Sequence, residues 1–372
     1  MSSSAHKASN GTHDHDIPYI PLQYGKEDSE SSATKLILAL FPHWRQGEGK
    51  IEFTTFKDGI TNTHGLAPAL LARFQNGLLY RFIRGRVCTP PDLTKEHIWR
   101  GVAQRIAQWH ASLPVVTEGR KAAIKDDIVV PLGQTIPKIP GATEKMYAIT
   151  PNTPVPNIWT VMQKWVLALT TGTSDEREKR DMLQVEIERS AKELSDTPGL
   201  GGNGLIFGHC DLLSANVIIP PQEKSNGEAK CASVAFIDYE YATPSPAAFD
   251  LANHFSEWGG FECDYNALPT RSIRRAFIDE YISSYISHTT VDTKTDLTSR
   301  LFDEIDRFRG IPGLYWGIWA LIQAKISQID FDYASYADVR LKEYWDWRAE
   351  TDGSRAAKGV EKPLRERRWA EE

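Results

Sequence analysis

The sequence has little cysteine, no long apolar run and no excess of positive charge. Its four cysteines form no C-x-x-C pair, so a thiolate metal site and a disulfide framework are not expected. The 43 Lys and Arg against 49 Asp and Glu give a formal net charge of −6, which argues against nucleic acid or an anionic membrane as a partner. No run approaches the roughly 18 apolar residues of a membrane helix, and residues 1–16 lack an apolar signal core. We expect a soluble, cytoplasmic protein.

Two polar segments flank the rest of the sequence. Residues 1–32 are rich in Ser, His, Asp and Gly, and this composition predicts a disordered tail because few apolar groups are available to offset the entropy of ordering. His13, Asp14 and His15 are potential metal ligands there, but a polar tail without fixed ligand geometry is the favoured interpretation. Residues 351–372 are predicted to form a charged tail.

The residues between the tails divide into two predicted lobes. The first, residues 33–83, contains a helix at 33–41, a strand at 49–56 and two strands at 70–74 and 78–83. Asn76-Gly77 between the last two strands is typical of a tight hairpin. Residues 84–350 are predicted to be mostly helical, with helices at 95–112, 157–169 and 175–194 and short strands at 205–207, 217–219 and 234–237. The pattern indicates an α+β chain with a small β-rich lobe and a large helical lobe.

The strongest chemical signal lies between two predicted strands. His209, Asp211 and Asn216 have the spacing H-x-D-x-x-x-x-N, and Asp238 ends the next strand. Protein kinases use this spacing: the first Asp accepts the proton of the attacking hydroxyl, and the Asn and the later Asp bind Mg²⁺. Hard oxygen ligands suit Mg²⁺, and a carboxylate suits a general base. The sequence therefore predicts Asp211 as base and Asn216 and Asp238 as metal ligands; a loop with satisfied hydrogen bonds is the alternative.

Two further residues near this motif are given structural roles. His209 is expected to pack and form hydrogen bonds beneath the loop, because Asp211 is the better-placed base. Asp250 lies in Phe249-Asp250-Leu251 at the start of a predicted helix. We expect it to bind the backbone of the catalytic loop, with a simple helix cap as the alternative.

Aromatic and acidic residues form a second constellation. Trp316 and Trp319 are three residues apart and share a helix face. Aromatic faces attract ammonium ions, and nearby carboxylates neutralise the charge. Helical spacing of aromatic residues alone indicates a core, but together with an acidic kinase-like loop it favours a cation pocket. The other members are Tyr239, Glu240, Tyr241, Glu257, Trp258, Tyr265, Tyr315, Tyr333 and Tyr336.

These segments resemble the choline/ethanolamine kinase family. The similarity is strongest in residues 236–257 and in residues 315–327, which contain W-G-x-W and Q-A-K-I-S. The loop His-Cys-Asp-Leu-Leu at 209–213 is more similar to the ethanolamine branch. The resemblance implies a two-lobed protein-kinase-like fold, ATP and Mg²⁺ as cofactors, and phosphorylation of a small amino alcohol, ethanolamine.

The same resemblance implies roles for individual residues. Asp211 is the implied base, and Asn216 and Asp238 are the implied magnesium ligands. The implied amine cage consists of Tyr241, Glu257, Tyr265, Trp316, Trp319 and Tyr336. The implied ATP contacts are a phosphate-covering turn with Asp58, Gly59, Thr61 and Asn62, and a hinge beside the adenine with Tyr80, Phe82 and Ile83.

One departure from the family follows Asn62. Family members continue with two strands and a helix that carry a basic residue for the ATP phosphates and its Glu partner. Here only Thr63 and His64 precede Gly65, and two residues span at most about 7 Å. The small lobe is therefore expected to be truncated and the chain to be a weak or inactive kinase. A choline kinase, a kinase acting on another hydroxylated amine and a kinase-like binding module remain alternatives, and a homodimer is compatible with the sequence.

Overall fold

The computed structural model describes residues 17–25, 27–43, 66, 68–115, 129–130, 134–135, 153, 156–200, 204–221, 231–290 and 296–372. Its strands are β1 Tyr19–Ile20, β2 Leu70–Phe74, β3 Gly77–Tyr80, β4 Arg86–Val87, β5 Val129–Val130, β6 Gln134–Thr135, β7 Ile206–Gly208, β8 Val217–Ile219, β9 Ala235–Phe236 and β10 Thr243–Ser245. Its helices are α1 Ser29–Leu40, α2 Pro90–Leu93, α3 Glu96–Ser112, α4 Ile158–Ala168, α5 Ser174–Glu193, α6 Ala247–Ser256, α7 Arg271–Ser287, α8 Leu297–Phe308, α9 Ile311–Ile326, α10 Tyr333–Thr351, α11 Ser354–Ala357 and α12 Leu364–Ala370. The predicted strand at 49–56 lies outside the described residues.

The N-terminal lobe contains a sheet in the order β1-β2-β3. The predicted hairpin is confirmed, because β2 and β3 are antiparallel. Phe74 pairs with Gly77, so the two turn residues are Gln75 and Asn76 rather than Asn76 and Gly77. The Asn76 side chain accepts a hydrogen bond from the Tyr24 amide (2.9 Å) and donates one to the Tyr24 carbonyl (2.8 Å). The turn is thereby tied to the segment that precedes α1.

The described part of the predicted disordered tail contains regular structure. Strand β1 pairs in parallel with β2, Tyr19 opposite Arg73, and α1 begins at Ser29 rather than at residue 33. Ile20 is buried with Leu36 and Ala72 in a small core of their own. The prediction was therefore wrong for these residues. Although the segment is mostly polar, its few apolar residues are enough to order it, because β1 can pair with the edge of β2 and bury Ile20 there.

The large lobe confirms the predicted fold class. Helices α3, α4 and α5 and strands β7, β8 and β9 lie within a residue or two of their predicted bounds. Most helices bury one face in a continuous core that includes Trp109, Trp165 and Phe255. Two short antiparallel sheets, β4-β8-β9 and β7-β10, carry the loops of the site. Strands β4 and β10 were not predicted, because neither contains the run of apolar residues that marked β7, β8 and β9.

The C-terminal segment is charged, as predicted, but is not a free tail. Helix α12 packs on the body of the lobe through Trp369, which is 3% exposed. Arg274 donates a hydrogen bond to the Trp369 carbonyl (2.9 Å), and the Arg271 amide donates one to the Glu371 carbonyl (2.7 Å). Arg365 and Arg368 looked solvated in the sequence, because the Ser256 hydroxyl and the Leu268 carbonyl to which they donate hydrogen bonds are 109 and 100 positions away in the chain.

Within the described part of the chain, no helix combines the length and apolarity that crossing a membrane requires. The helices that are long enough carry charged residues along their exposed faces, as α5 does. That outcome agrees with the absence of long apolar runs in the sequence.

Candidate active site

The loop between β7 and β8 has an unusual backbone that a neighbouring carboxylate stabilises. Cys210 has a φ of 61°, a conformation that costs energy in a residue other than glycine. Asp250 on α6 accepts hydrogen bonds from the amides of His209 (2.9 Å) and Cys210 (2.7 Å). Two charge-assisted bonds at this point favour the strained turn. They direct the next residue, Asp211, out of the strand.

Helix α6 holds this loop with three buried polar side chains on one face. Besides Asp250, Asn253 donates a hydrogen bond to the Cys210 carbonyl (3.1 Å), and His254 bonds the Leu212 carbonyl (2.8 Å). Positions i, i+3 and i+4 of a helix project to the same side. The loop is thus attached to one rigid element by backbone hydrogen bonds that do not depend on loop sequence.

A second layer supports Asp250. His110 on α3 lies 2.8 Å from the Asp250 carboxylate through Nε2 and 2.7 Å from the Tyr281 hydroxyl through Nδ1. Burial alone would raise the pKa of Asp250, but the hydrogen bond and charge of His110 hold that pKa below its ordinary value. The carboxylate therefore remains ionised in a fully buried position.

Two buried histidines beneath the loop are neutral. His209 accepts a hydrogen bond from the Asp211 amide at Nδ1 (3.3 Å) and contacts the Ile237 carbonyl through Nε2 (3.1 Å). His254 accepts one from Trp258 at Nε2 (3.2 Å) while its Nδ1 binds Leu212. Each ring must keep one unprotonated nitrogen for these bonds. Burial lowers the pKa of each histidine to about 4, in agreement with that geometry.

Asp211 and Asn216 lie in direct contact. The Asn216 amide group donates hydrogen bonds to the Asp211 carbonyl (2.8 Å) and to the Asp211 carboxylate (3.1 Å). Because its nitrogen is used in this way, Asn216 has its carbonyl oxygen left as the atom suited to bind a metal. Burial raises the pKa of Asp211 well above its ordinary value, and the nearby Glu257, Asp238 and Glu240 raise it further.

The donor set fits a divalent cation. Asp238 follows β9 with a φ of 66°, and its carboxylate contributes to the negative field at Asp211. Among the described residues, no three His, Cys, Asp or Glu side chains cluster closely enough to hold a metal ion by themselves. Mg²⁺ commonly takes only one or two protein ligands and completes its shell with phosphates and water. Asn216 and Asp238 would be those ligands.

Tyr241, Trp316 and Trp319 form an edge-to-face aromatic group beside the loop. The Tyr241 and Trp316 rings are 5.4 Å apart at 74°, and the Trp316 and Trp319 rings are 5.4 Å apart at 88°. Trp319 donates a hydrogen bond to the Tyr241 hydroxyl (2.8 Å), and Trp316 donates one to Asn253 (2.8 Å). The last bond joins the aromatic group to the same helix that holds the Asp211 loop.

Glu257, Tyr265 and Tyr336 lie around a buried arginine that the sequence did not single out. Arg340 on α10 is 3.1 Å from Glu257 and 3.2 Å from Glu343, and it donates a hydrogen bond to the Tyr336 hydroxyl (3.3 Å). Burial raises the pKa of Tyr265, and Glu343 raises it further. Burial also raises the pKa of Glu257, while Arg340 opposes the rise.

The predicted nucleotide residues are only partly described. Asp58, Gly59, Thr61 and Asn62 lie outside the described residues, as does the departure from the family that follows them. Tyr80 is the last residue of β3 and lies near Tyr239. Burial raises the pKa of Tyr239, and the nearby Tyr80 raises it further. Phe82 is 63% exposed, and Ile83 is half-buried. Of the predicted hinge residues, Tyr80 thus lies near the segment that begins at Asp238.

Comparison with known proteins defines first the class of the fold. The structure is similar to that of an ethanolamine kinase from Plasmodium vivax, with a TM-score of 0.55 and 22% identity, covering 75% of this chain and 67% of that one. This similarity places the chain among the kinase-like folds.

The particular family follows from the sequence. The profile of the choline/ethanolamine kinase family matches residues 45–345, so the chain belongs to this family of kinase-type enzymes. The chain is 28% identical to ethanolamine kinase 1 of Mus musculus over 301 residues, covering 78% of this chain and 71% of that protein. It is 26% identical to ethanolamine kinase 2 of Rattus norvegicus over 383 aligned positions, covering 88% and 84%.

Several residues of the site were missed in the sequence. Asn253 and His254 were detectable, because their i+3 and i+4 spacing from Asp250 places three polar groups on one face of an otherwise apolar helix. His110, Arg340 and Glu343 gave no local signal. The partners of His110 and Arg340 are 140 and 83 positions away, so only the fold brings them together. Glu343 pairs with Arg340 three positions before it, which in a sequence is indistinguishable from an exposed helical ion pair.

Proposed function

We propose that this protein transfers the γ-phosphoryl group of ATP to the hydroxyl of ethanolamine. The observation that carries the proposal is the attachment of the Asp211 loop to α6. Asp250, Asn253 and His254 fix the loop backbone, and Asn253 also binds Trp316 of the aromatic group. One helix therefore sets the distance between the base and the candidate amine site.

Asp211 would accept the proton of the ethanolamine hydroxyl. As that O–H bond breaks, the substrate oxygen bonds to the γ-phosphorus, the bond from this phosphorus to the bridging oxygen breaks, and ADP leaves with the electron pair. The raised pKa of Asp211 makes its carboxylate a stronger base than an exposed one. When bound, Mg²⁺ supplies positive charge for the phosphate oxygens, and Asn216 and Asp238 are the residues that would hold it.

The amine end of the substrate suits the aromatic group and Glu257. Tyr241, Trp316 and Trp319 offer ring faces to a cation, and the carboxylates of Asp211 and Glu257 make the region electronegative. A primary ammonium can also donate N–H bonds to Glu257, whereas a trimethylated amine cannot. This chemistry supports ethanolamine over choline.

Competition between the two alcohols tests the proposal. The purified chain is incubated with Mg-ATP and equal concentrations of ethanolamine and choline, and both phosphorylated products are quantified. We expect a higher kcat/KM for ethanolamine. A higher value for choline would make the protein a choline kinase. Binding of Mg-ATP without either product, over times that detect very slow turnover, would instead favour a kinase-like binding module.

A further inference from the structure

A line of alternating buried charges runs from the C-terminal helix α12 to Glu257 in the candidate amine site. In order, the ion pairs are Arg309–Glu366 (2.9 Å), Glu366–Arg365 (3.1 Å), Arg365–Glu343 (4.0 Å), Glu343–Arg340 (3.2 Å) and Arg340–Glu257 (3.1 Å). Five of these six residues are at most 5% exposed. The three positive and three negative charges balance, so removal of any one leaves an uncompensated buried charge.

Arg365 occupies the central position of this line. It shares Glu343 with Arg340, so it limits how strongly Glu343 attracts Arg340 away from Glu257. Its guanidinium also donates hydrogen bonds to the Ser256 hydroxyl (3.1 Å) and to the Arg309 carbonyl (2.5 Å). Ser256 directly precedes Glu257. Arg365 is therefore connected to Glu257 both through the ion pairs and through the side chain of the preceding residue.

Glu257 and Arg340 are held together by charge rather than by a well-aligned hydrogen bond. Oε1 of Glu257 lies within ion-pair distance of Arg340, yet within the described residues no donor is aligned on this buried atom. Nε of Arg340 and Oε2 of Glu343 are in the same state although they are 3.2 Å apart. The orientation of Arg340 between the two carboxylates therefore depends on what holds Glu343.

We propose that Arg365 is a positioning residue of the amine site, which holds Glu343 and Ser256 so that Arg340 leaves Glu257 oriented for the substrate ammonium. The proposal rests on the proposed function, because Glu257 is assigned to the amine there. Arg365 itself does not touch the substrate. Helix α12 is then an integral part of the substrate site, although 108 residues separate Arg365 from Glu257.

Calorimetric binding of ethanolamine to the full 372-residue chain with Mg-ADP present tests this role. Arg365→Gln is expected to raise the ethanolamine Kd about tenfold and to leave the Mg-ADP Kd within about twofold. The ethanolamine Kd of Arg365→Lys should lie between those of the wild type and Arg365→Gln, because lysine keeps the positive charge but not the paired N–H donors of arginine. The matched control is Arg367→Gln on the same helix, whose 52% exposed side chain pairs with the exposed Glu361; it should bind both ligands normally.

A double variant separates positioning from general destabilisation. If Arg365 acts through Glu343, then Arg365→Gln should add less than about twofold to the Kd of Glu343→Gln. An unchanged ethanolamine Kd in folded Arg365→Gln would overturn the proposal. Should that variant not fold, unchanged Kd values in both Arg365→Lys and Glu343→Gln would overturn it. If the wild-type protein binds neither ethanolamine nor choline, the proposed function itself is contradicted, together with the role of Arg365 that rests on it.

Discussion

The two lobes differ in how their parts are held together. In the large lobe, the Asp211 loop is fixed by buried hydrogen bonds from α6, and these are backed in turn by His110 and Tyr281. In the described small lobe, the separate core has three buried apolar residues, Ile20, Leu36 and Ala72. The comparison indicates that the proposed base and amine residues lie in a preorganised region, whereas the described residues of the small lobe share only a small core.

The largest expected effect comes from removing the charge that fixes the loop. Asp250→Asn places an amide N–H against donors of the Cys210 and His209 backbone, so it should cost about 3–5 kcal/mol of stability and abolish measurable turnover. Chemical denaturation and a kinase assay measure the two losses. Asp296→Asn, at the exposed cap of α8 where Asp296 accepts a hydrogen bond from the Ser299 amide, is the control and should leave stability almost unchanged, because Asn caps a helix about as well as Asp. Normal stability in Asp250→Asn would refute the role of α6.

Asp211→Asn should separate activity from stability. Turnover should fall by about 10²–10⁴-fold, because proton acceptance is needed only in the transition state. Ethanolamine binding should be almost unchanged. Since burial raises the pKa of Asp211, its ionised form destabilises the folded state at neutral pH, and the variant should have a higher melting temperature. Near-parental turnover would exclude Asp211 as the base.

Acid should destabilise the large lobe through its neutral histidines. The folded-state pKa of His209 and of His254 is about 4, below an unfolded value near 6.5. Above about pH 6.5 the histidine is unprotonated in both the folded and the unfolded state. As the pH falls toward 4, only the unfolded state binds the proton, so the free energy of unfolding decreases by up to about 3 kcal/mol per histidine. Asp211 and Glu257 oppose this trend. His254→Asn should reduce the acid-dependent loss, measured by denaturation between pH 7 and 4; an identical pH dependence would contradict it.

The smallest expected effect is in the small lobe. Ile20→Ala should loosen the edge of β2 and remove roughly 2 kcal/mol from the local core, and we expect the KM for ATP to rise about threefold. The KM for ethanolamine should not change. Tyr19→Ala on the same strand, where the side chain is 61% exposed, is the matched control. A shift in the ethanolamine KM of Ile20→Ala would show that the lobes are not independent in this way.

The sequence predicted what depends on local pattern. The hairpin at 70–80, helices such as α3 and the H-x-D-x-x-x-x-N loop all have signals within a few residues. Prediction from the sequence failed where contacts with distant residues determine whether a segment is ordered. Ile20 is ordered by packing against Leu36 and Ala72, and α12 is held by contacts such as the hydrogen bond from Arg274 to the Trp369 carbonyl. Arg340 was missed for the same reason, because a buried arginine in a sequence looks like a solvated one.

Steady-state phosphorylation of ethanolamine by the purified chain, at saturating Mg-ATP, tests the difference between the lobes most directly. From the sequence we predict that Thr63 and His64 are too few residues to hold the two strands and the helix that grip the ATP phosphates in the family, whereas each residue proposed for the amine site is present. We therefore expect ethanolamine to bind but turnover to be far below 1 per second, the lower end of ordinary kinase rates of about 1–100 per second. Turnover of roughly 1 per second or faster would contradict a weakened nucleotide side.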